Sequence, residues 1–336
     1  MSAGVGNGMN HRPRFVSADA VLEVLKWPEM IAALREVYAS APQARHSPRR
    51  VVARNDSVWL RALAATPPGR RYMGAKVFGF SKSGGTYAVI LFDQESGALA
   101  GILDANHITG FRTGATSALG LDYLAPRKPL TVGVLGSGAE AQAHLAAVGH
   151  VRRIAAFKVF SPSVANRSAF AGRFRRELDV PGDAVGDARA AVDGADVIIA
   201  AARSRGEQPI LFGDWLRPGT VVISIGSTLP EQREVDAGVV GACDLIVCDN
   251  VDEVVEETGD MIAARAAGIA FDDKLMSLSD LVLERHAARV RAARLPMLKT
   301  AGAAVQDLAV AELAFTKALA QGLTQEFPGD FRYKPA

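Results

Sequence analysis

Three basic side chains stand in surroundings that suit chemistry better than solubility. Lys76 lies inside Gly-Ala-Lys-Val-Phe-Gly, an ammonium flanked by apolar residues as if aimed from a strand into a cleft. Arg112 opens a Thr- and Gly-rich stretch that reads as the start of a helix, where backbone N–H groups add to its charge. Arg49 follows Pro48 at the head of a β-rich region. Facing one cleft, these groups would clamp a small carboxylate, with arginine offering a two-pronged fork. Taken singly, each reads equally well as a solvated surface charge.

A second feature is the stretch 130–141, Leu-Thr-Val-Gly-Val-Leu-Gly-Ser-Gly-Ala-Glu-Ala. An apolar strand runs into Gly136, Gly138 and Ala141 in the spacing G-x-G-x-x-A, and a helix follows. Gly136 permits the tight turn, and Gly138 lets backbone approach a pyrophosphate. Ala139 and Glu140 open the helix whose N-terminus favours that anion. The expectation is a bound dinucleotide. After the next strand, where an acid would bind the ribose of NAD, the chain has Ser161, with Ser163, Asn166 and Arg167 beyond it. These residues suit a 2′-phosphate, so NADP(H) is favoured. They also suit a helix cap near residue 164, which leaves NAD(H) open.

The elements that must hold these groups divide the chain in two. Residues 17–25 and 29–40 have helical periodicity, and Ser17 is a candidate N-cap. Strand-like runs at 51–53, 58–64, 75–80, 86–92 and 98–103 follow with turns but no helices between them, which predicts an antiparallel meander. From residue 130 strands at 130–135, 156–160, 196–202, 220–226 and 243–248 are expected. Helices at 139–149, 164–178 and 186–193 separate the earlier of them, which predicts a doubly wound parallel sheet. Residues 251–267 and 278–293 read as helices, the acids at 253, 256, 257 and 260 as a solvated helix face. The apolar helix at 303–321 is expected to pack back on the meander. The predicted class is α/β, with a discontinuous α+β domain at 1–123 rejoined by 301–336, and a dinucleotide-binding domain at 124–300.

Composition sets outer bounds. A chain of 336 residues that is 49% apolar can fill two cores, which excludes global disorder. With 38 basic and 36 acidic residues there is no charge imbalance to recruit nucleic acid or an anionic membrane. Cys243 and Cys248 lie in an apolar strand-like run and read as buried free thiols of a reducing compartment. Residues 1–13 read as a disordered leader without the apolar core of a signal peptide, and no apolar run suffices to span a membrane. A cytoplasmic protein is expected.

The motifs together resemble the ornithine cyclodeaminase/mu-crystallin family. The likeness rests on Gly-Ala-Lys76-Val, Leu91-Phe92-Asp93 with Ser96-Gly97, the run from Arg112 to Ser117, and Gly136 to Ala141. It continues through Asp214-Trp215 with Pro218-Gly219, Ile225-Gly226 with Pro230 and Glu234, and Lys299 to Gly302 with Asp307-Leu308-Ala309. The resemblance implies a homodimer whose antiparallel sheets meet across the twofold, beside a Rossmann domain. It implies that Arg49, Lys76 and Arg112 hold a substrate carboxylate beside the nicotinamide. Thr113, Gly226, Ser227, Thr228 and Thr300 would line the cofactor.

One departure matters. Cyclodeaminases of the family carry an acid two positions before the proline of this segment, and here Thr228 stands in Gly-Ser-Thr-Leu-Pro. A hydroxyl does not cycle a proton near neutral pH, which argues against ornithine cyclisation and leaves Thr228 as a substrate contact. Ala200 and Ala202 likewise replace hydroxyl residues frequent in the family. The resulting expectation is NAD(P)H-dependent reduction of a small imino acid or cyclic ketimine carboxylate, with Lys76 and Arg112 as catalytic residues. Alternatives are an alanine-type amino-acid dehydrogenase using NAD, a cyclodeaminase-like enzyme, and a non-catalytic NADPH- and small-ligand-binding protein.

Overall fold

The computed structural model describes residues 12–204, 206–329 and 331, so most of the expected leader lies outside the described residues. The meander forms as expected, and is larger than its apolar runs suggest. After β1 (Arg14–Val16) come α1 (Ala18–Val24), capped by Ser17, and α2 (Trp27–Ala39). Strands β2 (Val51–Arg54), β3 (Val58–Ala65), β4 (Tyr72–Ser81), β5 (Gly84–Asp93) and β6 (Leu99–Asp104) then pair antiparallel in sequence. β1 joins β6 in parallel, an edge strand too short to show a period.

Alternation along these strands gives the sheet two chemically different faces. On one, Trp59, Arg61 and Leu63 of β3 lie opposite Phe80, Phe78 and Lys76 of β4, and Tyr87 and Val89 of β5 continue the rows. The other face leaves Val51, Val58 and Leu60 exposed by 70%, 44% and 50%.

α3 (Asn106–Leu124) carries the chain into the second sheet, and its buried stretch runs from Arg112 to Leu121. There β7 (Leu130–Leu135), α4 (Ala139–Gly149), β8 (Ile154–Phe160), α5 (Val164–Leu178), β9 (Gly182–Ala184), α6 (Ala188–Val192), β10 (Val197–Ala200) and β11 (Val221–Ser224) alternate. They are followed by α7 (Ala237–Ala242), β12 (Leu245–Cys248), α8 (Val251–Glu257), α9 (Gly259–Ala266), β13 (Leu275–Ser277), α10 (Leu278–Val282), α11 (Ala287–Ala292) and β14 (Pro296–Lys299). All eight strands are parallel, in the order β13-β12-β14-β11-β10-β7-β8-β9. The order reverses between β7 and β10, where sheets of this type open a crevice at the carboxyl ends of their strands.

Three expectations change. β14, a four-residue strand opening on proline, is invisible to periodicity but sits between β11 and β12, buried throughout. The helix expected at 251–267 breaks at an extended Thr258, and that at 278–293 breaks near the left-handed Glu284. Glu253 and Asp260 do not belong to a solvated face: they are 2% and 0% exposed. Each is held by a buried cation, which is the condition for a carboxylate to leave water.

α12 (Ala304–Ala320) follows β14 through a short turn and packs on the first sheet, with Phe315 edge-on to Tyr72 at 5.5 Å. β15 (Gln325–Glu326) closes that sheet against β1. Cys243 and Cys248 are buried and unbridged, and burial pushes both thiols up, so they are unreactive. Among the described residues no helix is long and apolar enough to cross a membrane.

Candidate active site

The carboxyl ends of β10, β11 and β14, with Glu140 of α4, face the aromatic side of β3–β5 across a cleft of 820 Å³. Lys76, Arg112, Thr113, Glu140, Gly226, Thr228 and Thr300 all line it.

Lys76 and Arg112 arrive from different elements and meet on a third. Lys76 Nζ stands 2.8 Å from Asp307 Oδ1, in the first turn of α12, and Arg112 Nε stands 3.0 Å from the same oxygen. All three side chains are nearly or wholly buried. Arg112 Nη1 also donates to Gln306 Oε1 at 2.8 Å. Its guanidinium sits close against Gly302, at φ +87°, where an added Cβ would fall 2.6 Å from Nη1. Two cations share one carboxylate, so the group retains a positive charge toward the cleft. Burial, with help from Arg112 and against the pull of Asp307, brings the Lys76 ammonium down to about 8.

The expected third cation is displaced by one residue. Arg49 points to the exposed side and pairs with Glu256 at 2.5 Å, and it does not line the cleft. Arg50 does: its Nη2 donates to Glu253 Oε2 at 2.6 Å and to Gly302 O at 2.8 Å, and its Nη1 to Ala301 O at 3.1 Å. Successive side chains of extended chain face opposite ways, so of two adjacent arginines only one turns inward.

On the nucleotide side, Gly136 adopts φ +116°, and a Cβ there would lie 2.5 Å from Ala201 O. Gly138 caps α4 with open space where its side chain would be, so the N–H groups of Ala139 and Glu140 stand clear for a pyrophosphate. This cradle fits a dinucleotide. Ser161 is buried at the end of β8 and accepts a hydrogen bond from Ser137 at 2.8 Å, while Ser163 caps α5. Arg167 folds back over Phe160 and donates to Ser161 O at 2.7 Å. Its charge therefore sits at the strand end where a 2′-phosphate would lie.

The loops that close the cleft hang from a residue whose role the sequence did not disclose. Glu234 is wholly buried, and its carboxylate accepts from the N–H groups of Ala202, Ile225 and Gly226 and from Ser224 Oγ. Lys299 and Asp260 lie behind it, paired at 2.8 Å. Burial pushes the Glu234 carboxyl up to about 7, against the pull of Lys299. Ser227 is not brought to the cleft: its hydroxyl turns inward and donates to Gln232 O at 2.7 Å. Thr228 donates from both its N–H and its hydroxyl to Gln232 Oε1, at 2.9 and 3.1 Å, so it offers no free acid. Thr113 spends its hydroxyl on Thr109 O at 2.6 Å.

This arrangement can bind an anion beside a dinucleotide and hold a proton on Lys76. The ammonium is charged below about pH 8 and neutral above it. For a carboxylate ligand, affinity is therefore expected to fall as pH rises through 8. A bound anion favours the charged form, so the alkaline limb of kcat lies at higher pH than that of kcat/KM. Superimposed limbs would speak against Lys76 as the anion contact.

The sequence profile of the ornithine cyclodeaminase/mu-crystallin family matches residues 13–322. A ketimine reductase mu-crystallin of Macropus fuliginosus is 30% identical over 227 residues, 68% of each chain. A Delta(1)-pyrroline-2-carboxylate reductase of Paracoccus denitrificans is 28% identical over 321 residues, 89% of this chain and 95% of its own length. The Thermococcus litoralis Delta(1)-pyrroline-2-carboxylate reductase, solved in complex with NADH and L-proline, is similar in fold. It superposes with a TM-score of 0.87 at 23% identity, covering 94% of this chain and 100% of that one.

Proposed function

The chain belongs to the ornithine cyclodeaminase/mu-crystallin family, and on that premise we propose that it reduces small imino acids or cyclic ketimine carboxylates to amino acids. The observation that carries this is the Lys76–Asp307–Arg112 group, a buried cationic cluster at the mouth of a dinucleotide cradle. Relatives named ketimine reductase and pyrroline-2-carboxylate reductase support it. A dihydronicotinamide, when bound, supplies the hydride that reaches the imine carbon. Arg112 and Lys76 grip the substrate carboxylate and so fix which face of the C=N carbon is presented. Arg50 takes the place given to Arg49, holding the turn at Ala301 and Gly302 that seats Arg112. Lys76 delivers the proton that the nitrogen needs, unless the imine arrives already protonated.

That last point explains why Thr228 is compatible with this reaction. A ketimine nitrogen is basic enough to enter as the iminium, whereas cyclodeamination calls for a carboxylate that moves protons at this position. NADP(H) is favoured over NAD(H): Arg167 brings positive charge, and Ser161 brings none of the negative charge that would repel a 2′-phosphate. The comparison is the dissociation constants of NADPH and NADH. A homodimer is part of the same reading, and the exposed Val51, Val58 and Leu60 supply an apolar face for it. The cytoplasm, where buried thiols stay reduced, is its expected compartment.

Steady-state assay tests the activity. The substrates are pyrroline-2-carboxylate, piperideine-2-carboxylate, and a range of 2-oxo acids with ammonia or methylamine. NAD(P)H should be consumed with at least one of them. Tight NADPH binding with no turnover across the panel would instead mark a ligand-binding protein.

A further inference from the structure

Arg61 is, among the described residues, the one buried cation of the cleft with no carboxylate partner. The residue is 5% exposed, and its Nε and Nη2 are buried without a hydrogen bond. Its guanidinium stands 5.1 Å from the ring centre of Trp59 and 5.7 Å from that of Phe78. Aromatic faces attract a guanidinium, but they do not satisfy its in-plane N–H donors. The acids whose charge reaches it, Glu253 and Glu257, are engaged by Arg50. Arg61 therefore lines the cleft with a charge whose donors are unmet, flanked by two rings.

Its position relative to the carboxylate clamp is set by strand register. Leu63 lies opposite Lys76 and Arg61 opposite Phe78, so Arg61 is the diagonal neighbour of Lys76 on the same face. Such neighbours are roughly 7–8 Å apart. Leu63, Phe78 and Tyr87 line the cleft with them and give an apolar path for a short carbon chain. We infer that Arg61 receives a second carboxylate, carried on the substrate's side chain, so that the preferred imino acid is dicarboxylic. This rests on the imino-acid reading above and narrows it.

The test compares imines formed with ammonia from oxaloacetate or 2-oxoglutarate with those from pyruvate or 2-oxobutanoate, in wild type, Arg61→Met and Arg61→Lys. A site built around a charged group rejects analogues that lack it. Wild type should favour the dicarboxylic substrates by about 100-fold in kcat/KM. Arg61→Met should lower that preference by about 100-fold, and Arg61→Lys should recover part of it. Should Arg61→Met fail to fold, wild type alone decides, because succinate must then inhibit far more strongly than butyrate. Reduction of monocarboxylic imines without a dicarboxylic preference overturns the role of Arg61 and leaves the imino-acid reading standing. An equal loss on both classes in Arg61→Met marks a packing role and also overturns it. No turnover with any acid overturns the broader reading.

Discussion

Alanine in place of Lys76 is expected to lower kcat/KM for imino-acid reduction by about 10²- to 10⁴-fold, the range for removing a positioned proton donor. NADPH affinity, measured by fluorescence titration, should stay within about threefold, because the cradle around Gly136 and Gly138 belongs to other elements. The protein should also remain folded. Lys76 is held charged at a cost, since burial brings it down to about 8. Removing it leaves Asp307 with Arg112 at 3.0 Å, a balanced pair. Retained turnover would refute the role given to Lys76.

The opposite outcome is expected at the other end of the same ion pair. Asp307→Ala leaves Lys76 and Arg112 buried against each other with no counter-charge. Breaking a buried pair from one side costs about 3–5 kcal/mol. The midpoint of urea unfolding should shift to lower concentration accordingly, with Asp307→Asn giving the same direction. A loss below about 1 kcal/mol would mean that the two cations relax apart freely. The contrast between the two variants separates a group that performs chemistry from one that keeps the site assembled.

How much of this was legible in the chain depends on the kind of signal. Gly136 and Gly138 are readable because backbone geometry forces glycine at fixed spacing. Lys76 is readable because an ammonium among apolar neighbours is rare. Arg49 and Arg50 are not distinguishable, because a one-residue difference in extended chain reverses the facing side and no adjacent pattern fixes the register. Glu253 and Asp260 read as surface acids because their partners, Arg50 and Lys299, lie far away in sequence. Nothing in the sequence around Arg61 sets it apart from any other strand arginine. Its isolation is a matter of what does not surround it, and only the packed molecule reveals that.

β14 has a consequence for how the molecule is made. Its four residues fill the gap between β11 and β12, yet they come after both in the chain. Until residue 299 has left the ribosome, β11 and β12 lack the strand that pairs with both, so any sheet formed earlier is left with open edges there. Open strand edges invite pairing with other chains. Emergence of β14 therefore closes this window, and a stall shortly before it is expected to yield a form prone to aggregate.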